Sequence, residues 1–386
     1  MDRRKFIQVM AATTVVAQTR AMWAAGRDRV IVVGAGILGA STAYHMAQRG
    51  AQVTLLEKEH PAAGTTKNSF AWLNAAGKSP RTYYDLNLAG MQGWRRLNTE
   101  IGPDLPLQWG GSLTWGPADA AGMDTKVKRL AERQSWGYSI REITDQQIPK
   151  LVPGVVPGPV AFAEFADQEG TIDPVAAANV LTARAKGFGA TVVYPCEITG
   201  IDLGSGKALG VQTTKGKMEA DYIVLAAGND TPKLAAMVGM DIPLIESKGI
   251  LAHSTVQPRM LNRIIMPPGS DIKQNLDGRV VTGLNFGESG DMAPTMELGA
   301  DYFQKVAKYL PAASKIKVEY MTLGHRVMPK DGHPIFDRSQ KYPNVYVAVQ
   351  HSGMTCAPIV GQLMSMEVLD QVSVDMFAPY RLERFS

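Results

Sequence analysis

The sequence predicts an α/β fold with a second, α+β part built on a mostly antiparallel β-sheet. Two observations predict it. Arg29 to Glu57 reads RVIVVGAGILGASTAYHMAQRGAQVTLLE: strand, glycine turn, helix, strand and terminal carboxylate, in that order. That succession is a Rossmann-like unit, and it binds a dinucleotide. Residues from about Ile242 to Thr322 read instead as antiparallel strands with one helix.

The elements follow from local pattern. Val30 to Val33 is an apolar run before glycine, the mark of a buried parallel strand. Ile37 to Arg49 carries Ile37, Ala40, Ala43, Tyr44 and Ala47 at helical spacing, and Gly50 ends it. Val53 to Leu56 is the next strand. Gly64 to Ser69 is a small-residue loop, followed by a helix around Tyr83 to Leu97. From about Pro103 to Pro159 the composition shifts to Trp, Gly and Pro, with a charged helix near Lys126 to Gln134.

Asp173-Pro174 opens a helix from Val175 to Lys186, and Gly189-Ala190 turns into the strand Thr191 to Tyr194. Asp221 to Ala226 is a second buried strand. Gly278 to Thr282 and the region around Val318 to Met321 are strands flanking a helix from Leu298 to Leu310. Tyr346 to Val349 is a last strand, leading into a helix from Ala357 to Asp370. The expected division is an export signal at 1–26, a dinucleotide domain in three parts (28–105, 171–241 and 323–386), and a substrate domain in two (106–170 and 242–322).

At 386 residues the chain has the mass of two or three domains. Its net charge is +4, but Asp2, Arg3, Arg4, Lys5 and Arg20 contribute +3 of it. The remainder is near neutral and gives no electrostatic case for nucleic acid. The front segment, Arg3-Arg4-Lys5-Phe6 with an apolar run to about Ala17 and small residues to Gly26, has the build of an export signal. Its paired arginines resemble a twin-arginine signal, which implies twin-arginine export machinery as a partner and a periplasmic location. The cleavage site is indistinct, so retention at a membrane surface stays open. Only Cys196 and Cys356 are present, and both are read as free thiols. No histidine or cysteine spacing suits a metal, and no nucleophile elbow G-x-S-x-G occurs.

Gly34, Gly36 and Gly39 form G-x-G-x-x-G between strand and helix, with Ala35, Ile37 and Leu38 completing the turn. The glycines serve the tight turn, the approach of pyrophosphate and the helix-on-strand contact. The helix N-terminus offers N–H donors to phosphate. Glu57 stands 18 residues beyond Gly39, where a carboxylate accepts ribose hydroxyls. With Lys58 beside it, this is a dinucleotide site; the turn alone leaves NAD and FAD open.

Three further segments point to FAD by resemblance. They are Gly64-Thr65-Thr66-Lys67-Asn68-Ser69, DYIVLAAGNDTP from Asp221 to Pro232, and the pair Gly324 to Pro334 with Gln350 to Pro358. Together they resemble the D-amino-acid oxidase/dehydrogenase family of flavoproteins, which includes glycine oxidase and sarcosine oxidase. The resemblance covers roughly 28 to 375. It implies a non-covalent FAD along Thr65, Thr66, Lys67 and Ser69, with Ala227, Gly228 and Ile198 in the same site. It places the amides of Gly353, Met354 and Thr355 near the flavin pyrimidine. The family commonly has Arg-Pro where this chain has Arg326-Val327, and Lys67 is unusual in the loop.

The resemblance also implies oxidation of an amino acid's C–N bond, by hydride transfer from Cα to flavin N5. The substrate would be a D-amino acid, glycine or an N-substituted amino acid, and the electron acceptor oxygen or a quinone. Arg326 aligns with the family's carboxylate-binding arginine and also touches the cofactor site; its planar fork suits that job. Lys273 is expected either on a solvated strand or facing an acidic substrate group. His351 is expected at the pocket or the flavin. Two alternatives remain: a 2-hydroxy-acid dehydrogenase, which needs His351 as base, and a flavin-binding protein without turnover.

Overall fold

The computed structural model describes residues 27–117, 120–284 and 290–386. The expected export signal lies outside them. The α/β part is a six-stranded sheet in the order Ile335–Arg338, Val345–Val349, Tyr222–Leu225, Arg29–Val33, Gln52–Leu56, Thr191–Val193. All are parallel except the edge strand Ile335–Arg338. The runs VIVV, YIVL and VYVAV suit strands buried on both faces.

Alternation along these strands divides the core. Val30, Val32, Val53, Leu55 and Val224 face the helices Ile37–Gln48, Arg81–Ile101, Pro174–Gly187 and Gly353–Asp370. Ile31, Val33, Leu56, Ile223 and Val347 face the other way. They lie beneath a three-stranded antiparallel sheet (residues 198–219) and the short helix Thr231–Ala236.

The closing helix starts at Gly353, four residues before the expected Ala357. Pro358 was the misleading signal, because it cannot donate to the carbonyl four residues back. That carbonyl belongs to Met354, and the Trp94 indole N–H takes it at 2.7 Å. The helix therefore runs through the proline.

The second part is an eight-stranded sheet in the order Val318–His325, Lys248–Val256, Arg279–Gly283, Asp271–Gln274, Ile264–Met266, Ser112–Gly116, Phe162–Ala166, Ile140–Glu142. Only the pair Ile264–Met266 with Ser112–Gly116 is parallel. One face packs Leu113, Ile265, Ile272 and Ala252 onto Tyr302, Phe303 and Val306 of helix Met296–Ala307. On the other face Lys273, Val281, His253 and Tyr320 stand in register across four strands. The tract from about Pro103 to Pro159, where only a charged helix was expected by name, thus also supplies two strands of this sheet, Ser112–Gly116 and Ile140–Glu142. Their partners lie elsewhere in the chain, so local pattern did not disclose them. No helix among the described residues is long and apolar enough to cross a membrane.

Candidate active site

Strands Arg29–Val33, Tyr222–Leu225 and Val345–Val349 end side by side, and helices Ile37–Gln48 and Gly353–Asp370 begin at the same edge. A cavity of about 460 Å³ opens there. Three glycines shape its floor in different ways. Gly34 has φ +98°, and a Cβ on it would lie 2.6 Å from the Ala226 carbonyl oxygen. A Cβ on Gly39 would lie 1.8 Å from the Gly34 carbonyl oxygen, so this glycine seats helix on strand. A Cβ on Gly36 would meet only Thr66 Oγ1, at 3.2 Å, and would otherwise fill the cradle. This bare floor at a helix N-terminus fits a dinucleotide pyrophosphate.

Glu57 lines the cavity and is braced against the turn. Its Oε2 accepts the Ala35 N–H at 2.8 Å and its Oε1 accepts the Glu59 N–H at 3.0 Å. A carboxylate has about four lone-pair sites, so capacity remains for ribose hydroxyls. Lys58 lines the same end with its ammonium paired to Asp230 at 2.7 Å. Ile198 and Cys196 complete this end.

Gly34, Gly36, Ile37, Leu38, Thr65, Thr66, Ser69, Ala227, Gly228, Gly353 and Met354 line the cavity as expected. Five other expected cofactor residues do not, Arg326 among them. Ala35 is fully buried and serves through its N–H to Glu57. Gly39 faces Gly34. Lys67 is exposed on the 3₁₀ turn Thr65–Asn68, whose Asn68 lines the cavity instead. The Thr355 hydroxyl turns away around the helix, donating to the Trp72 carbonyl at 3.2 Å, whereas the expectation for this residue concerned its backbone amide.

Both thiols are buried and unpaired, and the apolar surroundings of Cys356 push it up to about 12. A thiol held so firmly protonated is a poor nucleophile.

The far end of the cavity is lined by Val349, Gln350 and His351. Burial, reinforced by Lys78 and Arg326, pushes the His351 imidazole down to about 3. Two cations from separate segments therefore act at this end. Arg326 is half-buried and lies outside the cavity lining, between His325 and Val327, which belong to it. Its Nη1 donates to the Lys248 carbonyl and, at 3.3 Å, to Ser247 Oγ. Lys78 lies over the Tyr83 ring at 5.7 Å, and the Tyr83 hydroxyl donates to Ser352 at 2.7 Å. Burial lowers the Lys78 ammonium.

Lys273 does not lie on a solvated strand. It is 1% exposed and outside the cavity lining, and its Nζ donates to Thr171 Oγ1 at 3.0 Å and the Ile172 carbonyl at 3.3 Å. Burial pulls this ammonium down to about 7. Nearby, Glu169 is fully buried and accepts from Trp72 Nε1 at 2.6 Å, Ser112 Oγ at 2.5 Å and Tyr138 Oη at 2.6 Å. Burial raises its carboxyl to about 7 against those three bonds. Neither Glu169, Lys78 nor Gln350 stood out in the sequence. Gln350 lay inside a quoted motif; the other two carry no local signal.

Comparison with known proteins completes the assignment. Residues 29–366 match the family model described as FAD dependent oxidoreductase. Glycine oxidase of Bacillus licheniformis is 24% identical over 369 residues, covering 93% of this chain and 98% of the relative. The crystal structure of glycine oxidase from Geobacillus kaustophilus superposes with a TM-score of 0.83 at 20% identity, covering 92% of this chain and 98% of that one. The structure of L-amino acid deaminase from Proteus vulgaris superposes with a TM-score of 0.83 at 21% identity, covering 93% and 97%. The chain belongs to the DAO family of FAD-dependent oxidoreductases.

Proposed function

We propose that the protein oxidises the C–N bond of an amino acid, at the cavity end where Arg326 and Lys78 bear on His351. The glycine cradle at Gly34 and Gly36, in a chain of an FAD-dependent oxidoreductase family, is the observation that carries the reading. FAD, when bound, supplies the two-electron acceptor for the substrate hydride. The protein's part is to hold and prepare the substrate. Arg326 attracts the carboxylate, and its fork suits two parallel hydrogen bonds. The same positive field disfavours a substrate ammonium and so favours the neutral amine that C–N oxidation requires. Relatives named glycine oxidase support an amino acid as substrate.

The 2-hydroxy-acid alternative needs a base for the hydroxyl proton. An imidazole held near 3 is a weak base at neutral pH, which favours the amine. Membership of an oxidoreductase family favours turnover over passive flavin binding. Anaerobic bleaching of the yellow holoenzyme by a panel of D-, L- and N-methyl amino acids tests the proposal. Bleaching by amino acids supports it; bleaching by hydroxy acids alone, or by none of these, overturns it.

We further propose export to the periplasm through a twin-arginine route, on the strength of Arg3-Arg4-Lys5-Phe6 and the apolar run behind it. A quinone or oxygen then accepts the electrons. A fusion of residues 1–26 to a folded reporter tests the export step: Arg3→Lys with Arg4→Lys should abolish its release into the periplasm.

A further inference from the structure

We propose that the Gln350 carboxamide is a direct ligand of the flavin half of FAD. Gln350 follows strand Val345–Val349 and lines the cavity, yet it is only 3% exposed. Its Oε1 and its Nε2 are both buried without a hydrogen-bond partner. Among the described residues it is the one side chain with both polar ends in that state, and the one cavity-lining residue with any such atom. A buried amide left unpaired at both ends destabilises the protein that carries it. The cost is recovered if a ligand entering the cavity supplies one acceptor and one donor.

The position selects which half of the cofactor does so. Gln350 lies between Val349 and His351, just beyond the strand that pairs with Tyr222–Leu225, itself followed by Ala227-Gly228. The adenosine end is defined elsewhere, by Glu57, Lys58 and Ile198. A flavin offers the matching chemistry twice. The imide edge of its ring carries an N–H beside a carbonyl, and the ribityl hydroxyls each donate and accept. Gln350 is thus a cofactor-binding residue whose orphaned amide is the protein's half of a two-part contact. The inference rests on the FAD site, and not on which substrate is oxidised.

The test separates binding from folding. Apoprotein of wild type and of Gln350→Leu, similar in volume without the amide, is titrated with FAD and with ADP, and its thermal midpoint is recorded. FAD affinity should fall roughly tenfold or more, ADP affinity should stay within about twofold, and the apoprotein midpoint should hold or rise. Unchanged FAD affinity overturns the proposal. So does an equal loss for ADP, or a lowered apoprotein midpoint, either of which makes Gln350 structural. Should Gln350→Leu fail to fold, Gln350→Met carries the same three readings. If wild-type apoprotein takes up no FAD at all, the FAD site itself fails and not this contact alone.

Discussion

Trp94 donates its indole N–H to the Met354 carbonyl at 2.7 Å, replacing the bond that Pro358 cannot make. Helix Arg81–Ile101 is thereby tied to the first turn of the helix that lines the cofactor cavity. Trp94 is fully buried. Trp94→Phe should destabilise the protein by about 2 kcal/mol, combining a lost hydrogen bond and a small void. It should also loosen FAD, because Gly353 and Met354 lose their anchor. Chemical denaturation and FAD titration measure the two effects.

Two glycines of one turn should fail differently. Gly34→Ala meets backbone at 2.6 Å and needs φ +98°, so it should lower the yield of folded protein. Gly36→Ala meets only the Thr66 hydroxyl, at 3.2 Å. It should leave the apoprotein folded, with a thermal midpoint near wild type, and abolish FAD retention. Circular dichroism with flavin absorbance distinguishes the two outcomes.

Glu169 makes stability depend on pH. Its carboxyl is raised from the ordinary 4.5 to about 7, so the fold prefers the protonated form. The stabilisation is complete below pH 4.5 and is lost as pH rises through 7. Glu169→Gln removes the titration and keeps the volume. The stability of wild type relative to this variant should fall by about 3 kcal/mol between pH 4.5 and 8. Urea denaturation of both apoproteins across that range gives the difference directly.

Arg326 and Lys78 should be separable through His351. Burial chiefly keeps the imidazole neutral and Lys78 adds to it, so Lys78→Met should raise the His351 pKa from about 3 while leaving it below its ordinary 6.5, visible in an NMR titration. Arg326→Gln should do the same and also raise KM for the amino acid, lowering kcat/KM on the order of a hundredfold. FAD affinity should change little, since Arg326 lies outside the cavity lining. A fall in kcat with KM unchanged would place Arg326 away from the substrate.

The legible parts of this protein are those fixed by nearest neighbours. The glycine turn, the alternation in VIVV and the acid at Glu57 each act through residues close in sequence, so spacing alone located the dinucleotide end. The far end is built from residues brought together over long distances. Glu169 collects Trp72, Ser112 and Tyr138, and Lys273 reaches Thr171, more than a hundred positions earlier. Such contacts leave no periodic trace. The sequence also misjudged Lys273, because a lysine on a short strand is ordinarily at the surface, whereas here it fills the gap between two layers. Lys67 was assigned by motif, and one step around a turn moved it off the cavity wall.

The central sheet interleaves distant parts of the chain: Val345–Val349 pairs directly with Tyr222–Leu225. During synthesis the apolar edge of Tyr222–Leu225 must wait, uncovered, while more than a hundred residues are added. Such an edge invites intermolecular pairing, so the nascent chain has a long window in which a chaperone is useful and aggregation is a hazard.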